Sequence, residues 1–294
     1  MPRASAPFVG ISLICAFFVA AVSGIAAAQG RYSWELSGLG STTDNGITDS
    51  DASTFGATYY FDRVQDGEGP YALSAFFDPA TSLSVVTDQY RTSDRWVLSG
   101  HYLLDGSRWY LGGRYQTQDY RDDVYGVIAG KYLGPRTTLE LAVDTSKQTF
   151  GISPACVALC PRGSIRTNTT TLSFAHVRNF RSLTYTLSGG FTRGEVPSFT
   201  ADTTTMPFSI SLGVDPFRTY SIGAALYPTK KLGLQIGYDR NSGKYFTNDS
   251  YSLGARWFFR RNVAFELSLS NLDLHLPEPY GQQETRSFRI TGRF

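Results

Sequence analysis

Charge is what this sequence has least of. Only 18% of its 294 residues are Asp, Glu, Lys or Arg, against about 25% in soluble domains. The 27 basic and 25 acidic residues leave a formal charge of +2, so no broad basic field exists to hold nucleic acid, and there is no acidic tail. Histidine is scarce too. His101, His176 and His275 stand in no nucleophile motif, so a hydrolase would need a Ser or Asp partner that the sequence does not announce. His176, beside Phe174, is the one histidine on an apolar-leaning face. The expectation is a protein without catalytic residues or cofactor. Long apolar runs are almost absent as well. Beyond residue 29 no window holds 18 consecutive apolar residues, which excludes a second helical span, and mean hydropathy is −0.19.

The one apolar run, Phe8 to Val22, follows Arg3 and ends in Ala26, Ala27 and Ala28 before Gln29. It reads as a secretory signal peptide over residues 1–28, cleaved after Ala28, ahead of a single domain over 29–294. Cysteine then narrows to two. Cys15 leaves with the leader, while Cys156 and Cys160 share one long loop and are expected to form a disulfide in an oxidising compartment. No His or further Cys lies near enough to complete a metal site. Asp44, Asp49 and Asp51 match no calcium-loop spacing and read as a solvated acidic loop.

What is abundant is aromatic surface in alternation. There are 20 Phe, 18 Tyr and 4 Trp, and apolar residues recur at every second position: Tyr32, Trp34, Leu36; Trp96, Leu98, Gly100, Tyr102; Leu253, Ala255, Trp257, Phe259. This is the pattern of two-faced strands. The runs predict fourteen strands, with twelve or sixteen open: 31–40, 54–62, 70–88, 94–104, 107–118, 123–133, 137–148, 169–180, 183–193, 217–228, 231–240, 249–259, 262–270 and 286–294. Their links alternate. Short turns near 105–107, 134–136, 181–182, 229–230 and 260–261 are separated by longer links over 41–53, 145–169, 194–216, 241–248 and 271–285. Alternating turn length and an even strand count predict an all-β, antiparallel up-and-down transmembrane barrel in a bacterial outer membrane, both termini periplasmic. An open sheet edge cannot face lipid, which requires closure.

The last strand places Phe288, Ile290 and Phe294 on one face and ends on an aromatic residue. This resembles the sorting signal read by the outer-membrane barrel assembly machinery, with Gly292 a departure from it. The segment Tyr59-Tyr60-Phe61-Asp62, then Gly69-Pro70-Tyr71-Ala72-Leu73-Ser74-Ala75-Phe76-Phe77, resembles a family of Gram-negative porins. There a strand ending in aromatics and Asp leads through a short turn to Gly-Pro and an Ala-Phe strand. The resemblance implies a barrel and a pore, with no particular solute.

If the apolar face meets outer-membrane lipid, the other face lines a polar lumen. It carries Glu35, Arg114, Glu140, Asp239, Arg256, Glu266 and Arg289. Counted from the periplasmic ends, Glu35, Arg256, Glu266 and Arg289 lie at similar depth on consecutive strands. They are expected to form a charge ladder across the seam, either a structural ladder or a belt that screens small hydrophilic solutes and ions. About fourteen strands predict a narrow lumen, with an inward fold of the 194–216 link, containing Met206 and Phe208, as one way to close it. The sequence is thus read as a porin for passive diffusion. The alternative is a closed or plugged barrel acting through its outer loops. Oligomeric state is open.

Overall fold

The computed structural model describes residues 31–46, 49–67, 69–90, 94–118, 121–150, 163–202, 209–244, 246–274 and 281–294. Fourteen strands follow one another: β1 (Arg31–Asp44), β2 (Asp49–Gln65), β3 (Ser82–Tyr90), β4 (Asp94–Leu103), β5 (Trp109–Gln118), β6 (Arg121–Gly134), β7 (Thr137–Phe150), β8 (Gly163–Phe180), β9 (Leu183–Asp202), β10 (Ser209–Thr229), β11 (Leu232–Gly243), β12 (Thr247–Arg260), β13 (Val263–Asp273) and β14 (Gln282–Arg293). Each pairs antiparallel with its neighbours in sequence, and β1 pairs with β14, so the sheet closes and no strand edge is left. Arg31 and Phe294 lie at one end, called here the near end.

Alternation sorts the side chains as the sequence predicts. Large apolar residues such as Leu98, Leu111, Val127, Leu141, Ile222, Ile236, Leu253 and Leu267 face outward and are exposed. Aromatic residues flank this band. Trp34, Phe61, Tyr102, Trp109, Phe180, Trp257 and Phe259 ring the near end, while Phe55, Trp96, Tyr115, Tyr125, Phe191, Tyr220 and Tyr251 ring the far end. Along one strand the rings stand six to eight residues apart, about 20–26 Å of strand at 3.3 Å per residue, a height that suits hydrocarbon once the strands tilt. Basic side chains lean over near-end rings: Lys131 over Trp109 at 4.7 Å, Arg181 over Phe180 at 5.4 Å and Arg260 over Phe259 at 5.9 Å. Such groups sit at the interface with the aromatic body in the apolar layer and the charge in water.

The seam is closed by the chain terminus itself. Ser33 N–H at 2.6 Å and Trp34 N–H at 2.8 Å both donate to the Phe294 carbonyl, and Phe294 N–H donates to the Trp34 carbonyl at 2.8 Å. Two successive donors on one acceptor mark a bulge, and the β1–β2 register shifts between Tyr32 and Trp34. The shift moves Tyr32 off the apolar face, where alternation alone puts it, and turns it inward, 3% exposed.

Two further expectations are corrected. The strand expected over 70–88 is only partly a strand, because Tyr71–Leu73 is a 3-10 turn, Ser74–Phe77 is one turn of helix (α1), and β3 begins at Ser82. Pro70 removes a ladder donor and Asp78-Pro79 interrupts the apolar run, so this stretch cannot continue a sheet. Strand also extends into the far-end links. β9 runs to Asp202 and β10 starts at Ser209, so the described residues of 194–216 belong to two paired strands. Met206, Phe208, Cys156, Cys160, His275 and the leader lie outside the described residues.

Candidate functional site

A two-faced strand in a closed barrel sends every second side chain into the lumen, so the site is the inner wall and whatever crosses it. Neighbouring strands are about 4.8 Å apart, and side chains two strands apart meet only if the position between them is empty. Glycine on β6 supplies that gap twice. Arg114 on β5 pairs with Asp144 on β7, Nε to Oδ1 at 3.2 Å with a second, shorter contact from Nη2. They meet over Gly126, where a Cβ would stand 2.1 Å from Asp144 Oδ1. Below them the Tyr110 hydroxyl donates to Glu140 Oε2 at 2.8 Å over Gly130, where a Cβ would stand 2.1 Å from Tyr110 Cζ.

On the other side of the lumen, Arg256 Nε donates to Glu266 Oε2 at 2.6 Å, and Gln235 Nε2 reaches Glu266 Oε1 at 3.4 Å. Glu266 lies opposite Arg289 in the β13–β14 register, so three members of the expected ladder do align. The fourth does not. Glu35 is in register with Arg293, and Arg289 lies across from Leu39, four residues away. Among the described residues Arg289 and Asp239 have no ion pair.

The largest departure is at the near end, where the segment between β2 and β3 folds into the barrel. Tyr71 N–H donates at 3.0 Å to the Lys230 carbonyl in the β10–β11 turn, so the segment reaches across the mouth. The Tyr71 ring packs edge-on to Phe258 at 5.7 Å and, with Ala264 and Ala72, forms a small apolar core inside the barrel. Arg293 ties this down. Its Nε donates to Glu35 Oε2 at 2.8 Å and its Nη1 to the Tyr71 carbonyl at 2.5 Å, while Asp66 Oδ1 lies 3.9 Å away. Its guanidinium stacks over Tyr32 at 4.8 Å and Phe258 at 5.2 Å, and the residue is 4% exposed. Within the segment the Ser74 hydroxyl donates to Asp66 at 2.7 Å, and Gln65 N–H donates to Asp78 at 2.7 Å. Asp66, Tyr71 and Ser74 were not legible as lumen residues, although the Pro70 and Asp78-Pro79 breaks marked the place.

The open space lies on the opposite wall. One cavity of about 470 Å³ is lined by Tyr110, Thr138, Glu140, Ser173, Ser188, Ser221 and Asp239, with Phe174, Ile222 and several small residues beside them. A second, of about 270 Å³, lies between the inward segment and the wall, bounded by Ala75, Pro79, Tyr60, His101, Tyr110, Tyr132 and Glu140. Tyr110 and Glu140 border both, and neither has an Arg or Lys in its wall.

His176 faces outward near the β8–β9 turn, its Nδ1 2.9 Å from Thr137 Oγ1. Asp51 accepts from Thr42 at 2.8 Å, and Asp44 from Gly46 N–H at 2.7 Å. No group of His, Cys, Asp and Glu among the described residues is arranged to hold a metal ion. In the terminal strand Phe288 stacks on Phe265 at 6.2 Å, and Ile290 is buried, both on the outward face.

No protein-family model matches the sequence, and no curated protein is significantly similar to it. Solved structures do match. The outer-membrane protein Omp33 of Acinetobacter baumannii superposes with a TM-score of 0.59 at 18% identity, over 90% of this chain and 100% of that one. The CymD monoaromatic hydrocarbon channel gives 0.49 at 11%, over 90% of each chain. A loop-deletion mutant of OmpT, an outer-membrane protein of Vibrio cholerae, gives 0.48 at 6%, over 89% and 98%. The chain thus shares the barrel fold of Omp33.

Proposed function

We propose that this chain is an outer-membrane channel for passive diffusion of small hydrophilic solutes, crossing on the β5–β11 side of the lumen. The observation that carries this reading is a pair of lumen cavities that share Tyr110 and Glu140 in their walls. Hydroxyls of Thr138, Ser173, Ser188 and Ser221 offer a solute hydrogen bonds in place of water, without a deep binding well, which suits passage rather than capture. Two carboxylates, Glu140 and Asp239, face this route without a basic neighbour in its wall, which favours cations. The leader over 1–28 takes the chain across the inner membrane, and the strand carrying Phe288, Ile290 and Phe294 is the segment offered to the assembly machinery. Cys156 and Cys160 are assigned to a loop disulfide, and no catalytic role is assigned to any residue.

The test is planar-bilayer conductance of refolded 29–294, with reversal potential in a salt gradient. Stable steps with a cation-side reversal are expected. Silence from a folded barrel would leave the second reading, a plugged barrel working through its far-end hairpins, which the Tyr71–Arg293 tether favours.

A further inference from the structure

The smaller cavity has a composition that water passage alone does not need. Four of its lining residues carry rings, Tyr60, His101, Tyr110 and Tyr132, whereas Ser, Thr and Gly recur in the larger cavity's wall beside Tyr110 and Phe174. Tyr110 and Tyr132 meet at 5.5 Å with planes tilted by 54°, and His101 stands edge-on to Tyr110 at 5.6 Å. Phe76 of the inward segment meets Tyr132 at 6.5 Å, and Tyr60 closes another side. At the junction sits Glu140. One of its oxygens accepts the Tyr110 hydroxyl, and it has no ion-pair partner among the described residues. Among the described residues Arg95 is paired with Asp88, Arg114 with Asp144, Arg256 with Glu266 and Arg293 with Glu35, and no Arg or Lys lines either cavity. A carboxylate without a counter-charge, framed by ring faces and enclosed on one side, suits a cation that carries alkyl groups. Ring faces attract the charge while their apolar surface accepts methyl and methylene groups, which a hydrated metal ion does not offer.

We propose that the cavity bounded by Tyr60, His101, Tyr110, Tyr132 and Glu140 is a binding subsite for small organic ammonium ions on the diffusion route. The inference rests on the channel reading for its place on a route, but binding itself does not require conduction. Glu140 supplies the charge and the tyrosines the cation–π faces. The Ala75 and Pro79 side of the inward segment forms the floor, so the subsite holds an ion just before the near end.

Refolded 29–294 in detergent would be titrated calorimetrically with choline and, separately, with its neutral isostere 3,3-dimethylbutan-1-ol. Saturable binding of choline, and none of the alcohol over the same range, is expected. Glu140→Gln keeps the Tyr110 hydrogen bond but removes the charge, and is expected to weaken choline binding about tenfold, the equivalent of one charge contact. Tyr132→Leu is expected to weaken it about threefold by removing a ring face. Asp123→Asn, on the outward face, is expected to change nothing. Equal binding of the alcohol, full displacement of choline by equimolar Na⁺, or an unchanged Glu140→Gln protein that migrates as a folded barrel would each overturn the subsite. Choline binding without conductance would overturn passage and leave the subsite standing; conductance without choline binding would do the reverse.

Discussion

The two halves of this lumen are built from the same strand pattern and end up opposite in character. On the side of β12–β14, β1 and β2, inward positions near the terminal end hold Tyr32, Val64, Phe258 and Ala264, all buried. The inward segment fills the space between them through Tyr71. On the side of β5–β11 the wall around the larger cavity combines Ser, Thr and Gly with Tyr110, Glu140 and Asp239, and space remains. A barrel of about this strand number is wide enough for water only if side chains are small, so the wall's composition decides where it is blocked. One inward segment is held against one apolar wall, and open space remains along the opposite wall.

Removing that segment is the strongest way to break the contrast. Replacing residues 70–78 by Gly-Ser-Gly deletes the Tyr71 ring and its bond to Lys230, and the single-channel conductance is expected to rise several-fold. Conductance at the unaltered level would show that the segment does not limit flow. The converse change narrows the wet side. In Gly130→Val the new Cβ would meet the Tyr110 ring at 2.1 Å, forcing Tyr110 from Glu140 into the passage. Conductance is expected to drop to a small fraction of the parent's while the barrel still migrates as folded.

The tether predicts a stability effect. Arg293→Met leaves Glu35 and Asp66 facing an apolar core without their cation, which in buried pairs costs about 3–5 kcal/mol. A lower midpoint in denaturant unfolding from lipid vesicles is expected, read on the folded fraction because Arg293 lies in the terminal strand. Adding Glu35→Gln and Asp66→Asn should recover much of the loss. A triple variant as unstable as the single one would mean that Arg293 acts through stacking on Tyr32 and Phe258 instead.

Period two was legible because lipid imposes it. Most strands from Trp96–Tyr102 to Val263–Leu269 show one apolar and one polar face, with Lys131 and Arg178 as interruptions, and counting the runs centred on the fourteen strands observed. The inward charges were legible for the same reason. What alternation does not carry is stagger. Equal depth from the strand ends put Glu35 beside Arg289, whereas closing a sheet into a barrel shifts the register, and the seam pairs Glu35 with Arg293. Nor does alternation reveal a local helical turn. Tyr71 to Phe77 is as apolar as a strand, and only tertiary contact with Phe258 and Lys230 shows that it turns inward.

The smallest effect separates paired from unpaired charge on the wall. Arg256 and Glu266 are joined at 2.6 Å, so from a passing ion they present a dipole whose field dies away faster than that of a single charge. The electroneutral variant Arg256→Gln/Glu266→Gln is expected to leave the reversal potential in a salt gradient unchanged. Arg289→Gln removes a positive charge that has no partner among the described residues, and is expected to move the reversal potential slightly toward the cation limit. If the double variant shifted it as far as Arg289→Gln does, the pair would be acting on ions as a selectivity belt. The distinction between charges held in a pair and a neighbouring charge without one would then be wrong.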